Sequence, residues 1–289
     1  MLSLVPGWPQ PEPSNEAKTK SETEDLRLLL ETVHDRTGFD FRDYAYSSLR
    51  RRVARVVQQT ASGTVAGLHQ KLKRDDQPLG LLVQHLTVHT TAMFRDPAFF
   101  RFLRLEVVPV LRTYPFVRIW VAGCSTGEEV YSLSILLHEE GLAPRCRIYA
   151  TDVSDAVVDR ARAGVFPLAA MQDYSKNYLA AGGLAPFSDY YRADSEWVLF
   201  RPQLRDRVVF GTHNLVSDAS FNEFHLILCR NVLIYFQRGL QERVHRLFHD
   251  SLVTFGYLGL GRSEAIRFTG VRDSYEVLNA RERLFRKIK

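Results

Sequence analysis

Residues 117–131, Val-Arg-Ile-Trp-Val-Ala-Gly-Cys-Ser-Thr-Gly-Glu-Glu-Val-Tyr, constrain the fold more than any other stretch of this 289-residue chain. Val117 to Val121 have β-type character and stop at a small, glycine-bearing turn, Ala122 to Gly127. A helix-compatible run, Glu128 to Leu137, comes at once after it. Strand, glycine turn and helix in that order open a nucleotide-type α/β fold. Gly123 and Gly127 would let the backbone approach a ligand, and the helix start offers free N–H groups. The Gly-x-x-x-Gly spacing is not the dinucleotide fingerprint, and there is no lysine for a phosphate loop. Glu128 and Glu129 stand where a phosphate would approach. A ligand bearing an ammonium group fits this turn better than an anion does, and S-adenosylmethionine has an amino group, a sulfonium and no phosphate. A plain strand–helix corner capped by its own glutamates fits the same residues, so both readings stand at this point.

The run Arg147-Ile-Tyr-Ala-Thr-Asp152 reads as the next strand and ends in an acid 25 residues past Gly127. That interval suits a carboxylate that accepts hydrogen bonds from two ribose hydroxyls. A helix comes next, with Ser154 or Asp155 at its N-cap and Val157, Val158 and Ala161 on one face. The two loops together describe an adenosine site at the carboxyl ends of adjacent parallel strands.

Around this centre, residues 1–20 carry Pro6, Pro9, Pro11 and Pro13 among polar residues and are expected to form a disordered leader. Residues 21–90 read as a small all-α domain. Its first helix starts near Thr23 and stops at Gly38; further helices lie near 64–73 and 77–88. Between them, Leu49, Val53, Val56 and Val57 form an apolar stripe, with Arg50, Arg51, Arg52 and Arg55 assigned to the remaining faces. Such a charge run is a solvated face or a dock for an acidic helical partner. From residue 91 onward the pattern is α/β. One helix is expected over 98–111 and mixed helix and loop over 164–183. A small antiparallel excursion is expected over 187–210, a central parallel strand at Phe224–Cys229, a helix at 238–252, a strand at 256–261 and a terminal hairpin.

A hydrophobic fraction of 45% and a charged fraction of 25% are those of an ordinary globular protein. No apolar run approaches the roughly 20 residues that span a bilayer, and no signal-peptide core is present, so a cytoplasmic protein without membrane insertion is expected. Cys124, Cys146 and Cys229 are scattered, which implies buried thiols and no metal site. The net charge of +5 permits an acidic partner without requiring nucleic acid.

Five blocks occur in a telling order: Thr90-Thr-Ala-Met-Phe-Arg-Asp-Pro97, the Gly-Cys-Ser-Thr-Gly-Glu-Glu turn, Ala150-Thr-Asp152, Cys229-Arg-Asn-Val-Leu-Ile-Tyr-Phe236 and Gly261-Arg-Ser-Glu264. Over roughly residues 21–289 the chain resembles the chemotaxis receptor methyltransferases, the CheR family. The resemblance implies a small all-α N-terminal domain and then a Rossmann-like methyltransferase domain with a small antiparallel β-subdomain. It also implies methyl transfer from S-adenosyl-L-methionine to glutamate side chains of methyl-accepting chemoreceptors, with S-adenosyl-L-homocysteine as product. By resemblance, His89, Thr91, Arg95 and Gly123 belong to the cofactor pocket, Glu129 lies near the cofactor's polar groups, and Asp152 binds the ribose. Asn214 and Leu215 flank the adenine, while Arg230, Asn231 and Tyr235 line the cofactor and the substrate carboxylate, with Arg95, Arg230 and Tyr235 as the catalytic set. Arg50, Arg51, Arg52 and Arg55 match the family's receptor-docking helix, whose partner is the acidic methylation region of the receptor's cytoplasmic helices. Two positions depart from the pattern: His89 replaces a usual Asn, and Arg262 replaces the usual His of Gly-His-Ser-Glu. The short 187–210 excursion implies recognition without a C-terminal pentapeptide tether.

The chemistry agrees with that resemblance. A glutamate, with a reference pKa of about 4.3, is ionised at neutral pH and needs no general base. Sulfonium and carboxylate lose charge on the way to products, so a water-poor, well-aligned site suffices. Arg95 and Arg230 could instead pair with Glu128, Glu129 or Asp152, and Tyr235 could be a core aromatic. A base-amine methyltransferase would need an Asp/Asn-Pro-Pro-Tyr loop where Arg230-Asn-Val-Leu stands. A catalytically weak cofactor-binding signalling module remains the other reading.

Overall fold

The computed structural model describes residues 15–87, 91–266 and 269–289, with side chains from residue 21 onward, and divides the chain into two compact units, 1–87 and 88–289. His89 lies outside the described residues, as do residues 1–14 of the expected leader.

Among its described residues the first unit is four helices: α1 (Asn15–Thr37), α2 (Tyr46–Gln59), α3 (Val65–Leu72) and α4 (Gln77–Leu86). The first helix starts at Asn15, well before Thr23. It stops where Gly38 turns to φ +75° and donates its N–H to the His34 carbonyl at 2.8 Å, a backbone conformation that favours glycine. Thr64 caps α3 by accepting the Gly67 N–H at 3.0 Å. Leu26, Leu29, Leu30 and Val33 recur at helical spacing and pack with Leu49, Val53, Val56 and Leu82 into one dry core. Each such side chain contributes about 1.5–3 kcal/mol when fully buried.

In the second unit the helix expected over 98–111 is three pieces: α5 (Pro97–Phe102), a π-helical turn (Leu103–Val107) and α6 (Val108–Leu111). Pro109 explains the break. It has no N–H for the Leu105 carbonyl and its ring crowds that group, so the ladder widens and Val108 N–H reaches back to Leu103. Leu105 is left exposed.

A seven-stranded mixed sheet comes next in the chain, with spatial order β6-β2-β1-β7-β8-β10-β9. Its strands are β1 (Val117–Ala122), β2 (Cys146–Asp152), β6 (Val208–Thr212), β7 (Phe224–Cys229), β8 (Leu252–Leu260), β9 (Tyr275–Asn279) and β10 (Leu284–Lys287). The first five run parallel and the last two form an antiparallel hairpin on β8. Helices α7 (Glu128–Glu139), α8 (Asp155–Ala163) and α10 (Arg238–Ser251) connect strands of this sheet. β1 leads outward to β2 and β6 on one side, and β7 begins the other side beside it. That reversal places the crevice for a ligand at the carboxyl ends of β1 and β7.

The small sheet is β3-β5-β4, antiparallel, from β3 (Val165–Pro167), β4 (Tyr191–Ala193) and β5 (Trp197–Phe200), with α9 (Met171–Ala180) between β3 and β4. Two expectations are corrected. The subdomain begins at Val165, in a stretch read as helix and loop, and Val208-Val-Phe belongs to the main sheet, pairing parallel with β2. A three-residue strand ending in proline has too little alternation to show in sequence, and Val208–Phe210 is indistinguishable by pattern from its neighbours.

Candidate active site

The turn after β1 is shaped by its glycines against protein, which corrects the expectation that they clear space for a ligand. Gly123 has φ +76°, and a Cβ there would stand 2.5 Å from Val232 Cγ2; a Cβ on Gly127 would stand 3.0 Å from the Ala161 methyl. The loops after β1 and β7 are therefore in direct contact at Gly123. Gly123 and Cys124 both donate N–H to the Thr151 carbonyl at 2.8 Å, which bends the turn toward the end of β2. There Asp152 accepts the Ser125 N–H at 2.9 Å on Oδ2 and lies 3.4 Å from the Ser154 N–H on Oδ1. A carboxylate has about four lone-pair sites, so two remain for a diol.

Glu128 and Glu129 occupy the first turn of α7, where the helix dipole favours acids. Glu128 is buried, accepts from Thr126 Oγ1 at 2.6 Å and from the Tyr174 hydroxyl at 3.4 Å, and is the structural member of the pair. Glu129 is half-buried and faces Arg230, whose Nη1 lies 3.2 Å from its Oε1. Burial pushes both carboxyls above their ordinary range, and the Arg230 charge opposes this at Glu129. A site that penalises carboxylates by desolvation is one that an incoming cation stabilises.

Arg230, directly after β7, is 2% exposed at its side chain. Its Nη2 donates to Asp96 Oδ2 at 2.8 Å and to the Arg95 carbonyl at 3.0 Å, and its guanidinium carbon sits 4.2 Å from the Phe99 ring centre. The ion-pair alternative weighed for Arg230 is thus the geometry found, with Asp96 as a partner that the spacing did not suggest. Arg230 is a buried strut between the 95–96 turn and Glu129, not an open clamp for a substrate carboxylate. The turn is itself unusual: Phe94 and Asp96 have φ 50° and 55°, and Phe94 N–H is held by Ser132 Oγ at 2.8 Å. Left-handed backbone at bulky residues costs about 1–3 kcal/mol each and persists where the surroundings enforce it. Arg95 lies within this turn and Thr91 precedes it, and both are half-buried.

Asn231 takes φ 62° and does not cap the 3-10 turn Leu233–Tyr235. The cap is Glu264, absent from the expected set. Its Oε2 accepts from Asn231 N–H at 3.0 Å and Gly261 N–H at 2.5 Å, and its Oε1 from Val232 and Leu233 N–H at 2.8 and 2.7 Å. Burial raises its pKa and these donors oppose the rise. The Gly-x-x-Glu spacing was the available signal, a carboxylate three residues past a glycine. Tyr235 ends the 3-10 turn and is half-buried. Asn214 and Leu215 come after β6 beside Asp152, whose carbonyl accepts His213 N–H at 3.0 Å; Asn214 Oδ1 accepts Val216 N–H at 2.9 Å and Leu215 is buried.

Of the expected set, Gly123, Glu129, Asp152, Asn214, Leu215, Arg230 and Asn231 thus stand at or beside the carboxyl ends of β1, β2, β6 and β7. Three buried polar atoms in the loops after β1 and β7 lack a hydrogen-bond partner: Ser125 Oγ, Arg230 Nε and Asn231 Oδ1. Unpaired buried polar groups are costly and call for an occupant. These atoms, the two open lone pairs of Asp152 and the desolvated Glu129 fit a nucleoside with an ammonium group. On α2, Arg50, Arg51 and Arg55 are exposed, with Arg50 paired to Glu22. Arg52 is the exception and a correction: it is 5% exposed and donates to the Leu86 carbonyl at 2.6 Å. At i+3 from Leu49 and i−4 from Val56, it lies on the buried stripe.

The CheR methyltransferase all-alpha domain matches residues 24–87, and the CheR methyltransferase SAM-binding domain matches residues 89–284. Cher3 of Pseudomonas putida is 44% identical over 263 residues, covering 91% of this chain and 96% of that protein. Chemotaxis protein methyltransferase 1 of Pseudomonas aeruginosa is 31% identical, with 88% and 92% covered. An uncharacterised 104.1 kDa protein of Rhodobacter capsulatus is 33% identical over 92% of this chain, which spans 28% of its length. On these matches, this chain belongs to the CheR methyltransferase family and is an S-adenosylmethionine-dependent methyltransferase of the chemotaxis type.

Proposed function

We propose that the protein methylates glutamate side-chain carboxylates on the cytoplasmic helices of methyl-accepting chemoreceptors, giving glutamate methyl esters. The observation that carries this reading is the pairing of an ammonium-compatible nucleoside site (Asp152, Glu129, and the unpartnered Ser125 Oγ and Asn231 Oδ1) with a short chain segment, 91–96, held against it by Arg230. When bound, the cofactor supplies an electrophilic methyl group on a sulfonium. Asp152 holds the ribose diol, Glu129 faces the amino end, and Asn214 and Leu215 border the base. Arg230 keeps Glu129 and the 95–96 turn in place. Arg95 and Tyr235 orient the receptor glutamate, which is ionised at neutral pH and attacks without a general base.

Residues 21–90 are the receptor-docking domain in this reading, with Arg50, Arg51 and Arg55 meeting the acidic methylation region. Residues 91–289 are the catalytic domain, acting in the cytoplasm. The three-residue turn 194–196 between β4 and β5 has no room for an inserted peptide-binding segment, in keeping with recognition that needs no pentapeptide tether. Among the described residues no helix is long and apolar enough to cross a membrane. The test is incubation with tritiated S-adenosylmethionine and membranes holding a cognate chemoreceptor, then assay of base-labile methanol. Volatile label that vanishes in Asp152→Ala supports the reading. Tight S-adenosylhomocysteine binding with no label from any chemoreceptor overturns it in favour of a binding module.

A further inference from the structure

Arg230 is held from both sides by one short turn after β8. On one side Glu264 gathers the N–H groups of residues 231–234, fixing the backbone that carries Arg230. On the other side stands Arg262, two residues earlier. Its Nε and Nη2 donate to Glu282 at 3.1 and 2.7 Å, and its Nη1 lies 3.2 Å from Asp96 Oδ1. The other oxygen of Asp96 is the one that Arg230 binds. Five side chains from five segments therefore alternate in charge: Glu129, Arg230, Asp96, Arg262 and Glu282. Glu282 is 4% exposed at its side chain and sits in the turn between β9 and β10, where Asn279 Oδ1 accepts its N–H at 3.0 Å, so it is a firm anchor. Asp96 is in left-handed backbone, a conformation that its surroundings have to enforce.

We propose that Arg262 is a positioning residue of the cofactor site: it clips the Asp96 turn to Glu282 of the terminal hairpin and so keeps Arg230 seated against Glu129. A guanidinium suits this task because its planar fork reaches two carboxylates on different edges at once. An ammonium or imidazole in its place reaches one at a time. The inference rests on the cofactor reading given above, since its readout is cofactor affinity.

The experiment is calorimetric titration of the full chain with S-adenosylhomocysteine for the native protein and for Arg262→Met, Arg262→Lys, Glu282→Gln and Asp152→Ala, with thermal midpoints measured in parallel. Arg262→Met is expected to weaken binding about tenfold, the loss of one good charge-assisted contact. Arg262→Lys is expected to fall between it and the native protein. Glu282→Gln leaves a neutral acceptor that preserves the turn, and is expected to weaken binding about threefold, short of the tenfold loss above. In Arg262→Met the loss of affinity is expected with a thermal midpoint close to the native one, which a general structural defect would not allow. Native affinity in Arg262→Met or Glu282→Gln, with binding abolished in Asp152→Ala, overturns the clip and leaves the cofactor site standing. Native affinity in Asp152→Ala overturns both.

Discussion

Arginine serves opposite purposes in the two units of this molecule. On α2 Arg51 and Arg55 are exposed and Arg50 pairs with a surface glutamate, whereas Arg230 is 2% exposed and bound by two carboxylates, a carbonyl and an aromatic face. The first group is worth little to stability because water and salt screen it. The second has no water to fall back on, so each partner it loses becomes an uncompensated buried charge. Arg52 shows that the difference is one of position: it sits within the exposed run yet behaves like Arg230, capping the end of α4 from inside the helical core.

The sharpest way to break this comparison is Arg230→Met. It strands Glu129 beside Asp96, which keeps Arg262 as a partner, and a loss of about 3–5 kcal/mol in chemical denaturation is expected, with S-adenosylhomocysteine binding lost as well. A smaller effect tests whether burial alone separates the units. His245 on α10 is 1% exposed, and burial pushes its pKa from 6.5 down to about 4, only partly opposed by the backbone at Ala265. Between those values only the unfolded chain takes up the proton. Stability is therefore full above pH 6.5, falls as pH drops, and levels off near pH 4, a total of about 3 kcal/mol. His245→Leu should remove that slope from denaturation midpoints measured across the range; an unchanged slope would show that His245 is not its source.

Next in size is Arg52→Met, expected to cost about 1–3 kcal/mol because the Leu86 carbonyl loses its donor inside the core. Unchanged thermal unfolding would put Arg52 with its exposed neighbours. The smallest stability effect belongs to Arg51→Ala combined with Arg55→Ala, within about 0.5 kcal/mol per site. The same pair should raise the KM for receptor several-fold at low salt and lose that effect at high salt. A salt-independent KM would remove the docking role from α2.

Periodicity and spacing made the loops after β1 and β2 legible. The β1–turn–α7 run and the acid ending β2 depend on contacts between near neighbours in sequence, and Asp152 meets Ser125 as that order implies. The helical stripe 49–53–56 was equally legible, and it also held the information that Arg52 points inward, masked by the run of like charges on either side. The features hidden from local pattern have other causes. The π-turn at Leu103–Val107 comes from a proline whose effect falls four residues upstream. The strand Val165–Pro167 exists only because β5 pairs with it. Arg262 acts on Asp96, more than 160 residues away in sequence, and Glu264 on Asn231, more than 30 away; the Gly-x-x-Glu spacing marked Glu264, but the partners of both are set by tertiary contacts.

By itself, then, the sequence determined which chemistry this protein can host: a strand–glycine–helix turn with acids where phosphates would sit, and a second acid at ribose distance. Those features are written in residue type and local spacing, which the backbone reads directly. Tertiary structure alone decided how the charges are shared. Coulomb and hydrogen-bond energies depend on distance and burial, both set by the parallel pairing of β1 with β7 and by the terminal hairpin paired to β8. That is why Arg230 is a buried strut, why Glu264 became a cap, and why Arg262 found Glu282.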